Sequence, residues 1–266
     1  MKIGMMNNPR HNLLAEITFA EENQFDFLDL TLEPRMAHPA KLPLPEVKKA
    51  LKRANLPIIG HTAYYLPFAS PYESLRRAAI EEIRLALQVC AELGASEVSL
   101  HPDKSIPFAL GEKGVLEQNI KSFEEMERIA RPLGIQILIE NMDRHFNTIE
   151  EFQETFWRLP QLGFHLDVGH ANLNVDRNRS LEFLRTFHER LRHVHFSDNF
   201  GQKDDLHLPL GAGNIPWRKV IAQLRAFGYD GTITLEIFSV DRQYLLVSRE
   251  KLRGMWEEKP NAPSLD

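Results

Sequence analysis

Short apolar runs, several alternating strictly with polar residues, are followed repeatedly by longer stretches whose apolar residues recur at three and four positions. That is the pattern of β-strands leading into amphipathic helices. Candidate strands are KIGMM (2–6), FLDLTLE (27–33), PIIGH (57–61), EVSLH (97–101), IQILIE (135–140), LGFHLD (162–167), RHVHFS (192–197) and TITLEI (232–237). Helical periodicity is clearest over 73–93, 114–131, 148–158, 180–190 and 216–227, and weaker near 11–23, 45–54 and 241–255. Repeated βα units predict a parallel sheet. Eight of them in 266 residues match a single (β/α)8 TIM barrel, an α/β fold. An open doubly wound sheet has fewer strands and often a glycine-rich turn after the first; here that turn is NNPRHN, without glycine. The barrel is expected over 1–256, followed by a flexible tail over 257–266.

Strand parity separates two faces. One is apolar: Leu28, Leu30 and Leu32; Val98 and Leu100; Ile137 and Ile139; Phe164 and Leu166; Val194 and Phe196; Ile233, Leu235 and Ile237. These predict contact with the helices. The other carries Asp29, Thr31 and Glu33; Ser99 and His101; Gln136, Leu138 and Glu140; His165 and Asp167; His193, His195 and Ser197; Thr232, Thr234 and Glu236. These predict the barrel interior, where polar groups are costly unless paired with one another, with water or with a metal.

Active sites of such barrels form where the strands end. The last inward residue of most strands is titratable: Glu33, His61, His101, Glu140, Asp167, His195 and Glu236. Three more join them. His170 follows Asp167 in LDVGH, where Gly169 permits a tight turn, and Asp205 and His207 lie in DDLH ahead of the turn LGAGN. Imidazoles and carboxylates are the ligands of zinc, manganese and related divalent ions. The candidate metal ligands are therefore His61, His101, Glu140, Asp167, His170, His195, Asp205, His207 and Glu236, for one to three ions. His193 and His165, two residues deeper, are expected to support them, Asp198 to orient a ligand, and Asp204 to be solvated. His11, His38, His145 and His188 are expected in helices or loops without partners, with His11 and His145 close enough to strand ends to line the pocket.

Composition adds bounds. With 43% hydrophobic residues the chain can build a substantial core. Its one cysteine, Cys90, falls on the apolar face of AIEEIRLALQVCAELG and predicts a buried structural thiol. A net charge of -5 argues against a general nucleic-acid surface, which needs clustered Lys and Arg. No apolar run reaches the roughly 18 residues that span a bilayer, and the opening lacks the apolar core of a signal peptide, so no membrane partner and a soluble, cytoplasmic chain are expected.

The motifs GHTAYYLPFASP, LHPD, IENMD, LDVGHAN, HVHFSDN, DDLHLPLGAGNIPW and GTITLEIF, arriving in order at successive strand ends, resemble those of the xylose isomerase-like TIM barrel superfamily. That superfamily holds sugar isomerases and epimerases and the zinc-dependent apurinic endonucleases of the endonuclease IV type. The epimerase resemblance implies one manganese-type ion on Glu140, Asp167, His195 and Glu236. Glu140 and Glu236 would exchange a proton on opposite faces of the substrate carbon, with His170 on a substrate oxygen. Tyr64 and Glu33 would line the wall for a small carbohydrate. The endonuclease resemblance implies all nine positions as ligands of three zincs. Three divalent ions (+6) against the four carboxylates (-4) would leave +2 to attract phosphate, whereas one ion leaves -2.

The DNA-reading parts match less well. Tyr64 stands where the endonucleases place a wedge, but the segment before Asp205 is NFGQKDD, with one lysine and an extra acid. Arg177 and Arg179 are the remaining phosphate-clamp candidates, and nucleic acid is not the expected partner. The resulting expectation is a metal-dependent sugar isomerase or epimerase, with multinuclear zinc phosphoester hydrolysis as the alternative. A non-catalytic metal- or carbohydrate-binding barrel is a third class, against which a pair of inward acids flanking a metal argues.

Overall fold

The computed structural model describes residues 1–104 and 108–258. Within them eight parallel strands close into a barrel in sequence order: β1 (Lys2–Met6), β2 (Phe27–Leu32), β3 (Ile58–Thr62), β4 (Glu97–Leu100), β5 (Gln136–Glu140), β6 (Gly163–Asp167), β7 (Leu191–Phe196) and β8 (Thr232–Leu235). Closure is made by β1 against β8, with Ile3 opposite Ile233. The connecting helices are α1 (Leu13–Glu22), α2 (Leu44–Ala54), α3 (Glu73–Leu93), α4 (Gly111–Ala130), α5 (Ile149–Arg158), α6 (Ser180–Phe187), α7 (Trp217–Ala226) and α8 (Gln243–Glu257). The expected helix over 180–190 divides: α6 stops at Phe187 and a 3-10 turn, His188–Arg190, swings the chain into β7. Residues 259–266 of the expected tail lie outside the described residues.

The two strand faces segregate as the alternation predicts. Leu28, Leu30, Val98, Ile139, Phe164, Val194 and Ile233 are buried in the layer between sheet and helices, and α3 meets it with Ala79, Ile80, Ile83, Ala86, Leu87 and Cys90 before ending at Gly94, whose φ of 93° suits a residue without Cβ. Cys90 is fully enclosed, and burial pushes its thiol up to about 12. Its sulfur fills the space above Gly60, where an added Cβ would lie 2.5 Å from Sγ. Among the described residues no helix is long and apolar enough to cross a membrane.

The polar face looks inward. Asp29 of β2 contacts His193 and His195 of β7, strands separated around the ring by β1 and β8, so these bonds cross the barrel interior. His61 of β3 likewise stacks on His195, ring centroids 5.6 Å apart. A register shift where β6 meets β7, at Phe164/His165, keeps Asp167 level with His195 and so sets both at the same rim.

Candidate metal centre and active site

Each of the nine expected ligands sits at the C-terminal rim or in the loop just beyond it. Glu140, the last residue of β5, is fully buried and draws three imidazoles to one oxygen: His61 Nε2 at 3.2 Å, His101 Nε2 at 2.8 Å and His165 Nδ1 at 3.2 Å from Oε2. Its other oxygen lies 3.1 Å from His170 Nδ1. His195 Nδ1 faces three carboxylates, with Glu236 Oε2 at 3.2 Å, Asp167 Oδ2 at 3.6 Å and Glu140 Oε1 at 4.0 Å. Asp205 Oδ2 bridges His170 Nε2 and His207 Nε2, each at 3.1 Å. Nine residues scattered over the chain thus form one contact network.

Local sequence explains how the loop residues arrive. After Asp167 the chain turns at Gly169, which has an ordinary φ of -66°; glycine is needed there for room, since a Cβ would lie 2.6 Å from Ser197 Oγ. The turn lets the His170 amide donate to Asp167 Oδ1 at 2.6 Å. His207 adopts a left-handed φ of 44°, a conformation that costs an L-residue roughly 1–2 kcal/mol. The backbone amides and carbonyls of Asp198 and Leu208 pair in both directions at 2.9 Å and hold that turn against the strand end.

The expectation for Asp198 needs correction. Its carboxylate touches none of the nine; it accepts from the amides of Asn199, Gly211 and Ile215 and from Trp217 Nε1. It pins the loop that delivers Asp205 and His207 rather than orienting a ligand. Three of the outlying histidines also have partners: His11 Nδ1 lies 3.1 Å from Glu16, His38 accepts from the amide of Ala40, and His188 stacks on Phe227. Arg179 is engaged by Glu182 and the carbonyl of Asn147, which removes one phosphate-clamp candidate. Tyr64 is 57% exposed beside His101, ring centroids 6.2 Å apart. Glu33 accepts from Thr31 Oγ1 at the same mouth, its carboxyl raised by burial despite His61 and Thr31.

Several residues of the site were not singled out by sequence. Asn141, next to Glu140, clasps Asp167 in both directions, donating to its carbonyl and accepting from its amide, and its own carbonyl meets His170 Nδ1. Ser99 meets His165 Nδ1 at 2.9 Å. Asp29 underlies His193 and His195. Their signal was inward parity or adjacency to a ligand, neither of which tells a supporting polar residue from a filler.

The electrostatics are those of a site short of positive charge. Burial and the neighbouring Glu140 and Glu236 raise Asp167 above the carboxylate range, although His170 and His195 pull it down. Burial opposes protonation of His207, yet Glu236 and Asp205 push it up to about 9. The same conflict leaves His195 well above its ordinary value, through Glu236 and Asp167, and His170 likewise, through Asp167 and Asp205. Glu140 Oε1, Asp167 Oδ2 and both ring nitrogens of His101 are buried without a hydrogen bond; the 2.8 Å approach of His101 to Glu140 lacks hydrogen-bond geometry. Such groups cost roughly 1–3 kcal/mol each. A divalent cation among them would meet a donor set of imidazoles and carboxylates, and the residues present fit one. Glu140, Asp167 and His170 bring ligand atoms within 4.8 Å of one another, as do Asp167, His195 and Glu236, and as do His61, Glu140, His165 and His195.

The model of a family described as the xylose isomerase-like TIM barrel matches residues 17–258. The chain belongs to this family. It is 32% identical to an uncharacterised protein of Methanocaldococcus jannaschii, over 69% of this chain and 65% of that protein. It is 28% identical to a probable endonuclease 4 of Aquifex aeolicus, over 62% of this chain and 64% of that one. The chain therefore spans just under two thirds of the length of both relatives. Among solved structures, a D-tagatose 3-epimerase-like protein superposes with a TM-score of 0.86 at 29% identity, covering 97% of each chain.

A cavity of about 410 Å³ lies at the opposite end of the barrel, among Glu97, Leu191, Arg192, Tyr229 and Thr232. It is lined by none of the expected site residues, as expected for a barrel end that serves stability rather than chemistry.

Proposed function

We propose that this xylose isomerase-like barrel is a divalent-metal-dependent epimerase or isomerase of a small sugar, sugar phosphate or polyol. One observation carries the reading: three carboxylates, Glu140, Asp167 and Glu236, converge on the single nitrogen Nδ1 of His195 within 3.2–4.0 Å. That is an arrangement suited to surrounding one cation with Glu140, Asp167, His195 and Glu236. The full-length likeness to the D-tagatose 3-epimerase-like structure supports the same reading. A bound divalent ion would polarise a substrate carbonyl and stabilise the charge that develops when the neighbouring proton leaves.

The chain's own residues supply the rest. Glu140 and Glu236 stand at the ends of strands three positions apart round the ring, so they approach a bound carbon from different sides. Burial raises both carboxyls, but imidazoles outweigh it, His101 and His165 at Glu140 and His207 and His195 at Glu236. Both are thereby kept ionised. In our reading one accepts the proton α to the carbonyl and the other returns a proton to the opposite face. His170, with its Nδ1 held near Asn141 and Glu140, would meet a substrate oxygen, while Tyr64 and Glu33 form part of the mouth. His61, His101, Asp205 and His207 are not needed by a mononuclear site.

Those four support a second reading, multinuclear zinc hydrolysis of a phosphoester, because Asp205 bridges two imidazoles and Glu140 gathers two more. Two measurements separate the readings. Elemental analysis of the purified protein should find one exchangeable divalent ion per chain; two or three tightly held zincs would favour the hydrolase. Incubation with a ketose panel in deuterated water should show exchange of a carbon-bound proton, lost in Glu140→Gln and Glu236→Gln. Undiminished exchange in both variants would sink the paired-carboxylate mechanism.

A further inference from the structure

The two nitrogens of His195 face different surroundings. Nδ1 looks toward Glu236, Asp167 and Glu140, whereas Nε2 lies 2.7 Å from Oδ2 of Asp29 on the other side of the barrel interior. The same oxygen receives Thr234 Oγ1 at 2.9 Å and His193 Nε2 at 3.0 Å. His193 is itself braced by Thr232 Oγ1, 2.8 Å from its Nδ1. Asp29, His193, His195 and Thr234 are all fully buried, and Asp29 Oδ1 has no hydrogen-bond partner.

An ionised carboxylate can only accept. Each hydrogen bond into Oδ2 must therefore bring its proton from the other partner, and for His195 that proton sits on Nε2. A neutral His195 is then confined to the tautomer whose free lone pair, on Nδ1, points at the three carboxylates. If Nε2 carried the lone pair instead, two electron-rich atoms would face each other at 2.7 Å and Nδ1–H would point where a cation belongs. Histidine ligands are commonly fixed in this way by a carboxylate on the second nitrogen, which also raises their basicity.

We propose that Asp29 is a positioning residue for the metal centre: it fixes the protonation and ring orientation of His195 so that Nδ1 is the ligand nitrogen, with His193 and Thr234 holding the carboxylate in place. The inference rests on the metal-binding reading above, but it makes a separate claim about which nitrogen is protonated.

The test uses the full chain with ¹⁵N-labelled histidine, the His195 signals being assigned by their loss in His195→Gln. Long-range ¹H–¹⁵N spectra should show a proton on Nε2 of His195 and none on Nδ1 in the chelated protein, at a pH high enough for the ring to be neutral, and also in the protein loaded with ¹¹³Cd²⁺. Cadmium should couple to Hε1 of His195 and not to Hδ2, the signature of coordination through Nδ1. In Asp29→Leu, which keeps the branched shape but offers His195 Nε2 no acceptor, Cd²⁺ affinity should fall about 10- to 100-fold, with the far-UV circular dichroism of wild type. Coupling to Hδ2, absence of the Nε2 proton, or unchanged affinity in Asp29→Leu would overturn the proposal. If wild type binds no cadmium, the metal reading fails, while the Nε2 proton of the chelated protein still decides whether Asp29 fixes His195. Should Asp29→Leu not fold, the two wild-type spectra decide the matter.

Discussion

Replacing Asp198 by Asn would remove charge and one acceptor from a loop anchor without touching any proposed ligand. In the native protein Oδ1 accepts from the amides of Asn199 at 3.0 Å and Ile215 at 3.3 Å, and Oδ2 from the amide of Gly211 at 2.7 Å and Trp217 Nε1 at 2.9 Å. The substituted side chain keeps one oxygen, and its NH₂ must face two N–H donors. The retained oxygen has its best use on the Oδ2 side, where the bonds are shorter, but either orientation leaves two donors unmatched. Hydrogen bonds to charged groups contribute about 1.5–3 kcal/mol each. Two lost therefore cost about 3–6 kcal/mol, and water entering the loosened loop favours the lower end, about 3 kcal/mol. At about 2–4 °C per kcal/mol for a chain of this size, the melting temperature should fall by about 6–12 °C in calorimetry. Asp204→Asn, at an exposed position one residue before Asp205, is the control and should stay within about 0.5 kcal/mol of wild type. Because Leu208 pairs with the backbone of Asp198, the loosened loop should also weaken any cation held by Asp205 and His207, read as metal content of the same samples. A variant that melts with wild type and retains its full metal content would refute the anchoring role.

Further perturbations test other parts of the structure. Gly60→Ala sets a Cβ 2.5 Å from Cys90 Sγ and 2.8 Å from Val98 Cγ2, an overpacking expected to cost about 1–3 kcal/mol in denaturant unfolding. Adding Cys90→Ala should recover part of that, and strictly additive losses would show that the sulfur is not the obstacle. Removing divalent ions with a chelator should lower the melting temperature and restoring zinc or manganese should raise it, by about 2.7 kcal/mol of stability at a hundredfold excess over Kd; no shift with either ion counts against a metal centre. In the chelated protein, a histidine raised in the folded state stabilises below its unfolded value of 6.5, and that contribution fades as pH climbs through the folded value, about 9 for His207. His170 and His195 shift the same way, so chelated protein should lose stability across that window in urea titrations, whereas cation affinity, which needs neutral imidazoles, should rise across it. Flat stability would mean that these histidines are not charged in the folded chain.

How far the site could be read from sequence depended on whether one strand, or two, defined the relevant contact. The barrel was legible because Leu28, Val98, Ile139 and Val194 on one parity and Asp29, Glu140, Asp167 and His195 on the other repeat a single rule in successive strands, and closure follows from their number. The rim residues were legible because the last inward position of a strand is a location that one strand defines by itself. Asp29 was not, since its meaning lies in two imidazoles of β7 reached across the interior, and parity gives the face but not the depth at which opposite strands meet. Asp198 misled for a related reason. An acid just past a strand end of ligands reads as a helper of those ligands, while its real partners are amides and an indole that return to it 13 to 19 residues later. The signal that could have shown this was the glycine in LGAGN: a Cβ on Gly213 would lie 2.1 Å from the carbonyl of Asn199 and 2.4 Å from Asp198 Oδ1. A glycine with no left-handed φ marks a place where other atoms come too close for a side chain. Gly213 marks the return of this loop onto Asp198, which makes the loop carrying Asp205 and His207 a packed part of the barrel rim.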